Sequence, residues 1–183
     1  LHECTPGHSM QAALALEGPE RPAFRRGTQF AAYGEGWGLY TEWLGTVMGI
    51  YETPYEDFGR LTYEMWRACR LVIDTGLHQF GWTRDQAMDY LRTHAALSEH
   101  EITTEIDRYI AWPAQALAYK LGEIQIRRHR REAEAALGTK FDQRQFHDAI
   151  LEIGSVPLPV LEARMRQFIA DGGVNRPRTT ATR

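Results

Sequence analysis

The sequence has little of several features that mark particular classes of protein. Its 183 residues include only two cysteines, Cys4 and Cys69, so neither a disulfide framework nor a Cys-x-x-Cys zinc site is predicted. No stretch has the length and apolar character of a transmembrane span, and none has the pattern of a signal peptide. The chain starts without methionine and inside a motif, so we expect it to be part of a longer protein whose localisation, cytoplasmic or exported, stays open.

Excess positive charge is also lacking. The formal net charge is −3 at pH 7, which predicts binding neither to nucleic acid nor to an anionic membrane. One basic cluster, IRRHRR at residues 126–131, is followed by Glu132 and Glu134. This pattern favours a solvated helix face over a nucleic-acid contact.

The alternation of polar and apolar residues that marks β-strands is not sustained anywhere, whereas helix signals recur along the chain. One stripe of a helix, with a 4-3-4-3 spacing, consists of Tyr33, Trp37, Tyr40, Leu44 and Val47. Capping residues, prolines and glycines predict further helices at residues 55–79, 83–93, 98–110, 113–137, 142–154 and 157–170. The predicted fold is all-α, with about seven or eight helices in residues 1–173. Residues 174–183 are predicted to form a disordered tail.

A candidate metal site occurs at the start of the chain, where LHECTPGH contains His2, Glu3 and His8. A catalytic zinc ion uses three protein ligands and keeps a fourth position for water, with a carboxylate nearby as the base. On an unbroken helix, the six-residue spacing would leave the two imidazole rings about 120° out of alignment and about 9 Å apart along the axis. Pro6 disfavours helical geometry before it and Gly7 permits a positive φ, so a break there could fold His8 back beside His2.

The spacing of these histidines is not specific by itself. His94 and His100 repeat the six-residue spacing, and His100 is followed by Glu101, yet no glutamate follows His94. On this local pattern alone, a metal site and a chance arrangement are both open.

The stretch YGEGWGLYTE, residues 33–42, favours a metal site. It places Glu35 among apolar and aromatic residues, where an ionised carboxylate needs a partner or a metal. Glycines at positions 34, 36 and 38 indicate that another group approaches this backbone closely. Glu42 points in nearly the same direction, and it either faces solvent or orients a metal ligand.

Two later stretches contain candidates for contacts with a substrate or a transition state. In residues 70–78, Asp74 and His78 share a helix face, so His78 either donates to an oxyanion or belongs to a surface ladder of charge pairs. In residues 107–120, Tyr109 and Tyr119 are either oxyanion contacts or ordinary core aromatics.

Five stretches, in order, resemble one bacterial family, domain of unknown function 885, which is grouped with the zinc-dependent metallopeptidases. They are HECTPGH, YGEGWGLYTE, RLVIDTGLHQFGWT, RYIAWPAQALAYKLG and FHDAILEIGSVPLPVLE. The resemblance implies a helical, metallopeptidase-like fold in a protein considerably longer than this chain, whose other part forms the second wall of a substrate cleft. The chain is also similar, more distantly, to helical carboxypeptidases and oligopeptidases that have a third glutamate ligand on a neighbouring helix.

The resemblance also implies roles for individual residues. Zn²⁺ would be held by His2, His8 and Glu35, with Glu3 as general base, and the substrate or transition state would be contacted by His78, Tyr109 and Tyr119. Many relatives have glycine where this chain has Cys4, whose thiol could compete for the metal or oxidise. The implied function is a zinc-dependent peptidase that cleaves short peptides or similar amides, and this stretch alone is expected to be inactive. A metal-dependent esterase or other amidohydrolase and an inactive helical binding module are the alternatives.

Overall fold

The computed structural model describes residues 1–17 and 20–175, and these residues form nine α-helices and no strand. The helices are α1 (His8–Glu17), α2 (Ala23–Gly27), α3 (Ala31–Val47), α4 (Pro54–Gln79), α5 (Arg84–His94), α6 (Glu99–Ala111), α7 (Ala118–Leu137), α8 (Gln143–Leu151) and α9 (Leu158–Ala170). The predicted all-α class is therefore confirmed. None of the described helices has both the length and the apolar character needed to cross a membrane. The predicted disordered tail lies, from residue 176 onward, outside the described residues.

Capping boxes begin three of the helices where the sequence predicts them. The side chains of Thr53, Thr83 and Ser98 each accept a hydrogen bond from the backbone N–H three residues later. The glutamate or glutamine at that later position bonds back to the backbone N–H of the capping residue. These bonds satisfy donors that the first turn of a helix leaves free, so local sequence is sufficient to place the starts of α4, α5 and α6.

The prediction that a helix begins at Pro113 is wrong. Ala114 has a φ of +68°, in the left-handed region, and its N–H lies 3.0 and 3.3 Å from the two carboxylate oxygens of Asp74. This contact with α4 holds the backbone outside helical geometry. Helix α7 therefore begins only at Ala118, after a 3₁₀ turn at Gln115–Leu117.

The sequence did not locate α1 and α2. Neither helix contains a buried residue, so neither has the apolar stripe that a periodicity search detects.

The described part of the chain contains two apolar cores. One lies among α3, α7, α8 and α9, and the other lies among α4, α5 and α6. The predicted stripe of α3 belongs to the first core, where Tyr33, Trp37, Tyr40 and Leu44 are all buried. Val47, at the last turn of α3, is 52% exposed, so the buried stripe ends at Leu44, the member of the stripe before Val47.

Helices α3 and α7 form the most extensive helix pair among the described elements. Their axes are close because Gly36 faces Gly122. A methyl group at Gly36 would lie 2.5 Å from the Cα atom of Gly122, and one at Gly122 would lie 1.9 Å from the carbonyl oxygen of Ala32. Neither separation is possible for real atoms in a close-packed interior, so this crossing requires both glycines.

The prediction of a solvated basic face at residues 126–131 is wrong for half of that cluster. Ile126, His129 and Arg130 are buried. The guanidinium of Arg130 donates to Glu134 at 2.7 Å and to the hydroxyl of Tyr40 at 2.8 Å. Charge patterning missed this burial because α7 packs against α3 and α9, which are distant in sequence.

A chain of hydrogen bonds connects α7, α3 and α8 through this arginine. Because a guanidinium can only donate, the hydroxyl of Tyr40 accepts from Arg130 and directs its own hydrogen to Nε2 of His147, 2.8 Å away. Burial, with the nearby charge of Arg130, lowers the pKa of His147 to about 4. The folded protein therefore holds His147 in its neutral form at neutral pH.

The close crossing of α3 and α7 predicts that Gly122→Ala destabilises the protein. We expect the added methyl group to lower the free energy of unfolding by at least about 2 kcal/mol, because it would overlap backbone atoms of α3. Gly59→Ala is the matched control, since Gly59 also lies inside a helix but has no atom within 4 Å of an added Cβ. We expect this control to be neutral or to gain up to about 1 kcal/mol from helix propensity. Urea denaturation of both variants measures the difference, and equal midpoints would contradict the packing argument.

The neutral state of His147 predicts a loss of stability in acid. The ordinary pKa of 6.5 in the unfolded chain lies above the folded value of about 4, so between these pH values the unfolded state binds a proton that the folded state excludes. We expect the contribution of His147 to the free energy of unfolding to fall by about 1–2 kcal/mol when the pH is lowered from 6.5 to 5. His147→Gln can still accept from Tyr40 and does not titrate. Denaturation at the two pH values should therefore show a smaller drop for the variant, and an equal drop would refute this assignment.

Candidate metal centre

The N-terminal motif folds back on itself at Pro6 and Gly7. The N–H of His8 donates to the carbonyl oxygen of His2 at 2.8 Å, and α1 begins at His8. The two histidines therefore lie on either side of a turn, with their ring centroids 4.8 Å apart. The predicted break, with His8 returning beside His2, is present in the structure.

Gly7 is needed at this turn for a different reason from the one predicted. It is not among the described residues with positive φ. A Cβ at this position would instead lie 1.8 Å from the carbonyl oxygen of His2 and 2.2 Å from that of Leu1. Glycine is thus required because backbone packs directly against backbone. The indole N–H of Trp37 donates to the carbonyl oxygen of Pro6 at 2.9 Å and fastens the turn to α3.

Helix α3 brings Glu35 to the two histidines. Its Oε2 atom lies 3.4 Å from Nε2 of His2 and 3.3 Å from Nε2 of His8. The three potential ligand atoms all lie within 4.8 Å of one another. Gly38, one turn later, makes room for His2, since a Cβ there would lie 2.6 Å from Nε2 of that ring. The fold therefore brings together the three residues that the sequence predicts as metal ligands.

Both imidazole rings are oriented through their Nδ1 atoms. Nδ1 of His2 lies 2.7 Å from Oε1 of Glu42, and Nδ1 of His8 lies 3.1 Å from Oε1 of Gln11. These oxygens can only accept, so each Nδ1 carries a hydrogen and each Nε2 is the ring atom that can bind either a proton or a metal. Three acceptor atoms thus converge on one point, and only a proton or another cation among them can relieve their repulsion.

The pKa values of the three side chains show the same preference for a cation. Burial alone would lower the pKa of His2, but hydrogen bonds with Glu35 and Glu42 outweigh it and raise the pKa to about 9. The hydrogen bond with Glu35 likewise raises the pKa of His8. Burial would raise the pKa of Glu35, yet hydrogen bonds with His2, His8 and Tyr119 hold it well below its usual range.

The two separations that involve Glu35 fit a tetrahedral zinc ion. Zinc–ligand distances of about 2.0–2.1 Å place neighbouring ligand atoms of a tetrahedron about 3.3–3.4 Å apart. The distances from Glu35 to His2 and His8 are 3.4 and 3.3 Å, and the third separation falls within the 4.8 Å that encloses all three atoms. Two histidines with one glutamate are a donor set used by catalytic zinc sites, which leave the fourth position open.

Glu42 is oriented toward the site and away from solvent. Its side chain is 13% exposed, and Oε1 accepts from Nη2 of Arg67 at 3.2 Å as well as from His2. Of the two interpretations left open by the sequence, the structure favours the carboxylate that orients a ligand histidine. No local pattern pointed to Arg67, which lies on α4, whereas Gln11 follows His8 by three residues on α1 and could have been found from helical spacing.

The remaining candidates near the cluster are Glu3 and Tyr119. Glu3 is exposed, and its carboxylate has no hydrogen-bond or ion-pair partner among the described residues. It shares the lining of a cavity of about 360 Å³ with His2 and Glu42. The ring of Tyr119 stacks on that of His2 with centroids 6.2 Å apart. Cys4 is an exposed free thiol and is not among the three clustered ligand groups.

The structure does not bring His78 and Tyr109 into the cluster. The hydroxyl of Tyr109 is buried and accepts from Nε1 of Trp66 at 2.9 Å and from Nε of Arg70 at 2.8 Å. Nε2 of His78 lies 2.9 Å from the carbonyl oxygen of Tyr109 and donates to it. Asp74 accepts from the backbone N–H of Ala114, and no hydrogen bond joins it to His78 in the described part of the chain. These contacts join α4 to α6 and to the turn before α7, and a catalytic role for either residue stays a prediction.

Known proteins resemble this chain over most of its length. Two solved structures are similar: one is described as "the putative lipoprotein from Colwellia psychrerythraea" and the other as "a putative lipoprotein of unknown function from Shewanella oneidensis". The first is 46% identical with a TM-score of 0.90, and the second is 26% identical with a TM-score of 0.82. They cover 93% and 92% of this chain, which in turn spans 29% and 30% of theirs.

No curated protein matches the chain. The sequence model of a bacterial protein family of unknown function, DUF885, matches residues 1–165. This match includes the ligand cluster, all of α1 to α8 and most of α9. The chain therefore belongs to the DUF885 family.

Proposed function

We propose that the chain carries the metal centre of a zinc-dependent hydrolase, and that the full-length protein is a peptidase acting on short peptides. The observation that carries the proposal is the convergence of three potential ligand atoms, from His2, His8 and Glu35, with both histidine–glutamate separations suited to zinc. A bound zinc ion would lower the pKa of a coordinated water toward neutrality. Since the chain spans only 29% and 30% of its solved relatives, the activity is proposed for the whole protein.

The side chains around the site supply a general base, a contact for the oxyanion and the orientation of the two ligand histidines. Glu3 follows His2 directly and lies on the cavity beside it, so its free carboxylate takes a proton from the attacking water and delivers it to the leaving amine. Tyr119 stacks on His2 and hydrogen-bonds to Glu35, which puts its hydroxyl beside the reacting centre, where an oxyanion develops. Glu42 and Gln11 keep the two imidazole rings in the tautomer that presents Nε2.

Removing a ligand tests the proposal on the full-length protein. We expect His8→Ala and Glu35→Ala to abolish both stoichiometric zinc, measured by elemental analysis, and hydrolysis of a peptide library. His94→Ala is the matched control, because His94 belongs to the second six-residue histidine pair and is exposed. Zinc binding and hydrolysis that survive in both ligand variants would refute the metal centre.

The base is tested separately from the metal. Glu3→Gln should keep its zinc and lower kcat by about 10²- to 10⁴-fold, since general base catalysis contributes that much. Hydrolysis of esters but not of amides by the wild-type protein would favour the esterase alternative. Zinc binding without any hydrolysis would favour the inactive binding module.

The hydrogen bond between Glu42 and His2 predicts a weaker metal site in Glu42→Gln. We expect a loss of about 10- to 100-fold in zinc affinity, because the amide holds the imidazole less firmly and adds no negative charge. Chelator competition measures the affinity, with circular dichroism to confirm folding. Glu17→Gln, an exposed substitution on α1, serves as the control. An unchanged affinity in Glu42→Gln would show that His2 needs no orienting carboxylate.

A further inference from the structure

A second cavity adjoins the ligand cluster on the side away from Glu3. Its volume is about 570 Å³, within the roughly 300–1,000 Å³ that is usual for small-molecule sites. His8 and Glu35 belong to its lining, so the cavity opens directly onto the proposed metal position. An occupant of this cavity would touch the reacting centre.

The lining of this larger cavity is uncharged apart from those two proposed ligands. Small residues, among them Ala12 and Gly34, and the partly exposed aromatics Phe30 and Trp112 form much of this lining. Uncharged polar side chains complete it, namely Gln11, Gln29, Gln115 and Ser155. A charged side chain placed there would lose its hydration without gaining a counter-ion. An apolar group would gain by leaving water, at roughly 25 cal/mol for each Å² removed.

The smaller cavity differs from the larger one in charge. It is lined by His2 and by four charged side chains, namely Glu3, Glu42, Arg60 and Arg67. The two cavities share no lining residue, and they meet the cluster at different ligand histidines. Apart from the ligands themselves, the surroundings of the proposed metal are thus uncharged on one side and charged on the other.

We propose that the larger cavity binds a bulky apolar side chain of the substrate, aromatic or large aliphatic, next to the bond that is cleaved. This inference rests on the proposed function for its chemistry, and it names the substrate class: short peptides with a bulky apolar residue at the cleavage site. Gly34 is the residue that keeps the cavity open to such a group.

Gly34 allows the cavity to be filled without distorting the helix. A Cβ at this position would have no atom within 4 Å, although Gly34 lies inside α3 and lines the cavity. Gly59 has the same properties in α4, where it lines the smaller cavity. The two glycines therefore form a matched pair, one for each side of the cluster.

The test uses zinc-free full-length protein and two probes, N-acetyl-L-phenylalaninamide and N-acetyl-L-alaninamide, with binding followed by ligand-observed NMR titration. We expect the wild-type protein to prefer the phenylalanine probe. Gly34→Leu should weaken binding of that probe at least about tenfold, because the leucine side chain occupies the apolar volume. Gly34→Ala should weaken it less, and Gly59→Leu should leave it unchanged. Circular dichroism and the graded effect of Gly34→Ala separate filling of the cavity from misfolding.

Two results would overturn the inference: no preference for the phenylalanine probe in the wild type, or a loss in Gly59→Leu equal to that in Gly34→Leu.

The zinc-loaded protein provides a second measurement, in which Gly34→Leu should shift kcat/KM from peptides with phenylalanine toward peptides with alanine. If the wild type hydrolyses no peptide but the binding preference is present and sensitive to Gly34, the peptidase proposal fails and the apolar site stands. If peptides are hydrolysed and Gly34→Leu changes neither binding nor preference, the inference about the cavity fails alone.

Discussion

The candidate site depends on the close approach of α3 to two other backbone segments. Gly36 allows α3 to contact α7 at Gly122, and Gly38 leaves space for the ring of His2. A side chain at Gly38 would push the ring of His2 away from α3, which carries Glu35, and a side chain at Gly36 would push α7 away from the same helix. Each glycine weakens the helix by roughly 0.5–1 kcal/mol relative to alanine. Burial of the aromatic stripe on the same helix offsets this loss.

The three ligand atoms are held in place by partners that come from different elements. Arg67 on α4 contacts Glu42 on α3, which holds His2, while Gln11 on α1 holds His8. Each ring is therefore fixed in orientation before any metal binds. Such preorganisation limits the rearrangement that metal binding would require.

The site also lies between two different environments. Arginines and glutamates line the cavity at His2, whereas alanines, glycines, aromatic rings and uncharged polar side chains line the cavity at His8 and Glu35. A peptide lying across the cluster would therefore meet charged side chains on one side and uncharged ones on the other.

The sequence by itself determined the helical class, the starts of α4, α5 and α6, and the identity of the three candidate ligands. These features depend on local hydrogen bonds, on helical periodicity and on a motif, all of which can be read within a few residues. Tertiary structure alone decided that Ala114 delays α7, that His129 and Arg130 are buried, and that Glu42 turns toward His2 rather than toward solvent. Two of these outcomes depend on partners 40 residues away, and the third depends on which helices cover α7. No local pattern contains that information, because contacts between distant helices form only when the chain packs.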